Sequence, residues 1–317
     1  MSSNLSDLTQ LEKANQDYLS GLELLQTSCI KCRFTPNYID AIPLFKKAAD
    51  AYRGSGNFQK EINSREKLAK CYKSEKSAWE EGNEYEKISR IQLNQLKSAP
   101  DAYNSVINSF HAYASNRSYD DGIKALTKIS NEFIDSGNEE EAVKVLTFAF
   151  DEIDRYYHVI TLDKEENHHY IYECIDKYID LLFSKEDYEK SAEVAHKSAE
   201  MIKKDQKEEK RLICKYYGFQ AIAEICGKKE DKFETTIETG KGFESNGDEF
   251  CSNISRFVNV VKQNHKDNER IIKSLFNSLS RKVPASMAKM INIKIIKEYA
   301  NNTSEIKTDA SEEDDLK

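Results

Sequence analysis

The sequence predicts an all-α protein, a tetratricopeptide-like solenoid of helical hairpins (a twisted sheet of antiparallel helices) followed by a C-terminal helical bundle. Three observations predict it. First, only 4 Pro and 11 Gly interrupt 317 residues, which leaves few strand-and-turn boundaries. Second, the helical period is explicit. In 139–157 the apolar positions Ala142, Val145, Leu146, Ala149, Phe150 and Ile153 recur at spacings of three and four, on one face. Third, a template repeats. Tyr38, Ala41, Phe45, Ala48 and Tyr52 lie at offsets 0, 3, 7, 10 and 14, as do Tyr119, Gly122, Leu126, Ile129 and Phe133, and Tyr188, Ser191, Ala195, Ser198 and Ile202. Small residues early in the template admit a neighbouring helix, and larger ones further along fill the gap. The tyrosines are 81 and 69 residues apart. Each gap reads as two units of roughly 34–41 residues, the size of a tetratricopeptide-like hairpin.

In order, helices are expected at 5–27, 38–54, 57–74, 76–96, 100–115, 119–136, 139–160, 166–184, 187–204, 207–227, 230–245, 248–264, 267–280 and 284–301. The segment 28–37, SCIKCRFTPN, is longer than a hairpin needs and carries Pro36, so it reads as a loop presenting Phe34. The helices at 38–54, 119–136 and 187–204 follow from the template. Gly137-Asn138 ends one helix, and Glu139, Glu140 and Glu141 suit the first turn of the next, where the helix dipole favours acids. From 246 the helices shorten, and Pro284 fits a helix start. The expected organisation is therefore a solenoid over 1–245, a bundle over 246–302 and a polar acidic tail over 303–317.

Composition narrows function. Charged residues make up 32% and hydrophobic ones 39%, which suits amphipathic helices with a wide solvated surface. Tyr and Phe total 31, more than a disordered chain carries. The net charge is −8, half of it in the tail, so a global nucleic-acid binder is not expected. Seven scattered cysteines fit a reducing, cytoplasmic setting. The start MSSNLSDLTQ has no signal-peptide pattern, and no stretch approaches the 18–20 or so apolar residues of a spanning helix. Any membrane contact is expected to be peripheral.

Catalytic motifs are absent from the sequence, so no enzyme is expected, and no cofactor or metal. Gly240-Lys241-Gly242 lacks the P-loop spacing and its Lys-Ser/Thr pair. Cys29 and Cys32 make half a zinc site with no second pair nearby. His168 and His169 are adjacent and point about 100° apart on a helix. Basic residues cluster at 60–76 (Lys60, Arg65, Lys67, Lys70, Lys73, Lys76) and 197–215 (Lys197, Lys203, Lys204, Lys207, Lys210, Arg211, Lys215), and Lys124 and Lys128 share one helical face. A solvated face balanced by nearby acids is the ordinary reading of such runs. A solenoid also offers an extended surface for a rod-shaped partner, and some of these cations could line it.

The stretch FTPNYIDAIPLFKKAADAYRGSGNFQKEINSREKLAKCY resembles the gamma-type soluble NSF attachment proteins. The features that carry the likeness are an aromatic beside basic residues, then Pro-x-Tyr and a run of Ala and aromatics. Here these are Arg33, Phe34, Pro36, Tyr38, Phe45, Ala48, Ala49, Ala51 and Tyr52. The likeness weakens over 100–240 and returns at GDEFCSNISRFVNVVKQNHKDNERIIKSL and the helix after Pro284. The end, SEEDDLK, departs from it and is more like the acidic, penultimate-leucine tails of the alpha and beta types. The resemblance implies an adaptor, a monomer when free, that binds assembled SNARE complexes and recruits the NSF ATPase hexamer for their disassembly in vesicular traffic. Lys70, Lys73, Lys124 and Lys128 would face the SNARE bundle. Lys31, Arg33 and Phe34 would touch membrane lipid, unless Phe34 tucks between the first two helices. Glu312, Glu313, Asp314, Asp315 and Leu316 would contact and stimulate NSF, unless they form only a solubilising tail. The alternative function is a generic tetratricopeptide-like scaffold for other protein partners, although no repeated Asn/Lys carboxylate clamp is visible.

Overall fold

The structure, a computed structural model, describes residues 2–27, 34–161, 168–204, 209–245, 248–263 and 268–297. Among these it is all-helical, with α1 Ser2–Leu25, α2 Tyr38–Gly54, α3 Phe58–Ser74, α4 Ala78–Asn94, α5 Ala99–Ser115, α6 Tyr119–Asp135, α7 Glu139–Ile160, α8 His169–Ser184, α9 Tyr188–Lys204, α10 Lys210–Cys226, α11 Glu230–Lys241, α12 Phe250–Gln263, α13 Glu269–Ser280 and α14 Ala285–Met290. A π-helix, Ile291–Lys297, continues α14 where a single α-helix is expected from the sequence, and it buries Ile291 and Ile295. Within the first unit consecutive helices pack as neighbours from α1 to α6, and within the second from α9 to α14, as helical hairpins require.

One turn geometry builds six of the hairpins. A single residue adopts positive φ at the helix end: Gly56, Lys76, Arg117, Gly137, Glu186 or Lys228. Its amide donates to the carbonyl three residues back, and the next amide donates to the carbonyl five back, as in Asn57 N to Tyr52 O at 2.9 Å and Asn138 N to Phe133 O at 2.8 Å. This is the Schellman closure, which satisfies the carbonyls a helix end would orphan. The residue that completes it also begins the next helix. Asn57 Oδ1, for example, caps the amide of Lys60. Turns therefore need only three residues. Lys97 supplies the positive φ of the four-residue turn between α4 and α5, so these residues recur 20 or 21 positions apart from Gly56 to Gly137.

The template positions are core positions. Phe45, Ala48, Leu126, Ile129, Phe133, Ala195 and Ser198 are fully buried. Gly122 is the close approach its place in the template predicts: a Cβ there would lie 2.7 Å from the Phe110 ring of α5. Gly82 accommodates the Tyr113 ring in the same way. The count of units needs one correction. Four helices, hence two hairpins, separate the starts of α2 and α6, but only three separate those of α6 and α9. The template fixes which face a helix buries, not its place in the hairpin order, and α7 is a long helix of 22 residues.

The chain divides into two compact units, 1–149 with 166–171, and 150–165 with 172–317. The 245/246 boundary lies inside the second. There α10 is the central helix, buried around most of its girth and packed against α9, α11, α12 and the π-helix. In the first unit, Arg65 is buried and bonds Glu61 on its own helix and Glu84 on α4.

Candidate functional site

Three large apolar side chains near the N-terminus, Leu19, Phe34 and Ile39, are exposed. The amide of Asn37 donates to Leu24 O at 2.9 Å, tying the start of α2 to the end of α1. Just before this tie Phe34 is 75% exposed, so it does not tuck between α1 and α2. Ile39, in the first turn of α2, is 66% exposed, and Leu19 of α1 is 63% exposed. The sequence reading missed Ile39, although its place one residue after the template's Tyr38 sets it on the outward face. Pro43 removes the helical bond to the Ile39 carbonyl, and because both residues are exposed, water can replace it. Lys31 and Arg33 lie outside the described residues, as do Glu312, Glu313, Asp314, Asp315 and Leu316.

The structure sorts the basic clusters. In 60–76, Arg65 is an interior residue and Lys60 bonds Asn15 at 3.0 Å above the Tyr52 ring. Lys70 and Lys73 are exposed on one face of α3. Lys70 has no ion-pair partner among the described residues, while Lys73 lies 4.0 Å from Glu81. Lys73 and Lys76 line a recess of about 490 Å³ with Glu81, Tyr85, Asn108 and His111. Burial raises the Glu81 carboxyl above its ordinary pKa, and Lys73 opposes the rise. Lys124 pairs with Asp120 at 2.9 Å and sits 5.0 Å from the centre of the Tyr170 ring. Lys128, one turn on, is exposed and has no ion-pair partner among the described residues.

In 197–215 the ordinary reading holds for most cations. Lys197 pairs with Glu193 at 2.8 Å, Lys203 with Glu200 at 3.2 Å, Arg211 with Asp248 at 3.2 Å and Lys215 with Asp176 at 2.5 Å. Exposed pairs of this kind contribute little to stability, but they do neutralise the face they occupy. The unneutralised positive charge among the four predicted partner-facing lysines is therefore concentrated at Lys70 and Lys128. Lys70 and Lys73 lie on α3, and Lys124 and Lys128 on α6.

Among the described residues no helix is long and apolar enough to cross a membrane. Cys71, Cys174, Cys214, Cys226 and Cys251 are buried free thiols. Burial lifts the Cys71 thiol to about 11. In comparisons with known proteins, the chain matches no family model and no curated protein.

Proposed function

We propose that the chain is a non-enzymatic adaptor that binds an assembled SNARE helical bundle and recruits the NSF ATPase to it, with peripheral lipid contact at its N-terminal edge. The observation that carries the reading is the pair of exposed lysine patches, Lys70 with Lys73 and Lys124 with Lys128, on an array of helical hairpins. Repeated helices present extended surfaces suited to a rod-shaped partner. Cations on such a surface steer an acidic bundle and confer little shape specificity. Exposed Phe34 and Ile39 supply apolar contact with lipid, raising the local concentration of adaptor on membrane-anchored partners. The acidic tail ending in Leu316 is the segment assigned to the ATPase, whose nucleotide hydrolysis supplies the work.

The test is capture of NSF and a preassembled SNARE complex on the immobilised chain, at two salt concentrations. Retention of the ATPase only when the SNARE complex is present, weakened by salt and by Lys124→Glu with Lys128→Glu, supports the proposal. Failure to retain either partner with the native chain overturns it.

A further inference from the structure

Three elements of the second unit converge on a pair of thiols. Cys214, in the first turns of α10, and Cys251, at the start of α12, are 1% and 0% exposed, with their sulfurs 3.6 Å apart. Glu244, just after α11, brings a carboxylate oxygen so that the three potential donor atoms lie within 4.8 Å of one another. Among the described residues no other group of three such side chains comes this close. Gly240 of α11 sits against the Cys251 sulfur, where a Cβ would clash. The Glu244 carboxylate is held in place by the Ser252 amide and hydroxyl, both at 2.6 Å.

The geometry points to a site for a thiophilic, tetrahedral divalent cation of the zinc class, ligated by Cys214 Sγ, Cys251 Sγ and a Glu244 carboxylate oxygen, with the fourth position left to water. Zinc–sulfur bonds of about 2.3 Å at tetrahedral angles put two thiolate sulfurs about 3.8 Å apart, close to the spacing present. A disulfide would require closure to about 2.05 Å. The Ser252 contacts are the outer-shell support that ligating carboxylates use, and each oxygen keeps a lone pair for the metal. The N-terminus of α12, where Cys251 lies, offsets part of the negative charge. On binding, each thiol releases a proton to solvent and its sulfur pair forms a bond to the ion; no electron is transferred. The ion would fasten α10, α12 and the turn after α11 together. The two cysteines are 37 positions apart in sequence, too far for a local motif.

The test uses full-length chain with Cys29→Ser and Cys32→Ser, so that this second pair contributes nothing, reduced and anaerobic, titrated with Co²⁺. The expected result is one equivalent of cobalt with the sulfur charge-transfer band and intense visible bands of a tetrahedral site, displaced by Zn²⁺ with release of protons. Cys251→Ser abolishes the spectrum. If that variant fails to fold, Glu244→Gln decides, since loss of the carboxylate lowers affinity at least about 10-fold, as outer- and inner-shell changes at metal sites do. A weak octahedral cobalt spectrum, an unchanged spectrum in Glu244→Gln, or the loss of two titratable thiols to a disulfide without metal each overturns the proposal.

Discussion

Arg65 Nη1 donates to Glu84 Oε2 at 2.7 Å, and neither side chain exposes more than 6% of its surface. The other edge of the same guanidinium donates to Glu61 Oε1 at 2.8 and 2.9 Å, so one fork joins α3 to α4 from within the array. Arg53 of α2 also reaches Glu61, at 2.9 Å. Removing the cation leaves each buried carboxylate with one partly exposed partner, Arg53 for Glu61 and Lys87 for Glu84. Arg65→Met is expected to destabilise the first unit by about 1–3 kcal/mol, less than a buried pair broken with no other partner, because Arg53 and Lys87 remain. Arg65→Lys recovers only part, because an ammonium does not reproduce the planar fork. Urea unfolding checks both; a loss under about 1 kcal/mol for Arg65→Met would mean the carboxylates readily find water.

The turns make a prediction of opposite sign at two kinds of position. Lys97 and Arg117 hold φ of 54° and 61°, whereas Gly137 occupies the place equivalent to Arg117 at 78°. A side chain in this region costs roughly 1 kcal/mol, so Lys97→Gly and Arg117→Gly are expected to be neutral or stabilising by up to that amount. Gly137→Ala is expected to destabilise by about 1 kcal/mol although it meets nothing in space. Shifts in the urea midpoint at constant slope give the answer.

Close packing at Gly82 sets a third expectation. A Cβ there would lie 2.7 Å from the Tyr113 ring, whose hydroxyl donates to Glu86 at 2.8 Å. The ring cannot retreat without losing that bond, so Gly82→Ala should cost about 1–3 kcal/mol, as overpacking does. Tyr113→Phe in the same background should recover part of the loss, because without the bond to Glu86 the ring is free to move off the added Cβ. Thermal unfolding of the two variants distinguishes these outcomes.

Alkaline pH should unfold the protein through its tyrosines. Tyr18, Tyr52, Tyr72, Tyr85, Tyr113, Tyr172, Tyr216 and Tyr217 all have pKa values raised above the ordinary 10.0, in each case chiefly by burial. The folded state keeps phenolic protons that the unfolded chain gives up. Stability is therefore unaffected by these groups below pH about 10 and falls as pH rises through and above it. Near-ultraviolet absorbance titration should show a first set of tyrosines ionising normally and the rest only as helicity by circular dichroism collapses.

Lipid contact is tested at Phe34 and Ile39. Burying one such side chain in an apolar phase is worth roughly 1.5–3 kcal/mol. Phe34→Ser is expected to reduce flotation with anionic liposomes about 10-fold or more, and adding Ile39→Ser to reduce it further, with unchanged circular dichroism. Equal flotation of native and doubly substituted protein would confine both residues to a structural role.

Much of this fold was legible in the sequence because helix formation is governed by local periodicity. The offsets 0, 3, 7, 10 and 14 named buried positions such as Phe45, Leu126 and Ala195 directly, since residues three and four apart share a helical face. Phe34 was legible as a loop aromatic because Pro36 follows it within a segment too long for a tight turn. Other features depend on partners distant in the chain, and only tertiary packing decided them. Arg65 read as one more surface cation until α4 brought Glu84 against it. Lys128 and Lys197 read alike, and neighbouring acids neutralise only the second. Cys214 and Cys251 carry no local signal at all, because burial and proximity between helices depend on how the helices pack, which no periodicity along one helix encodes.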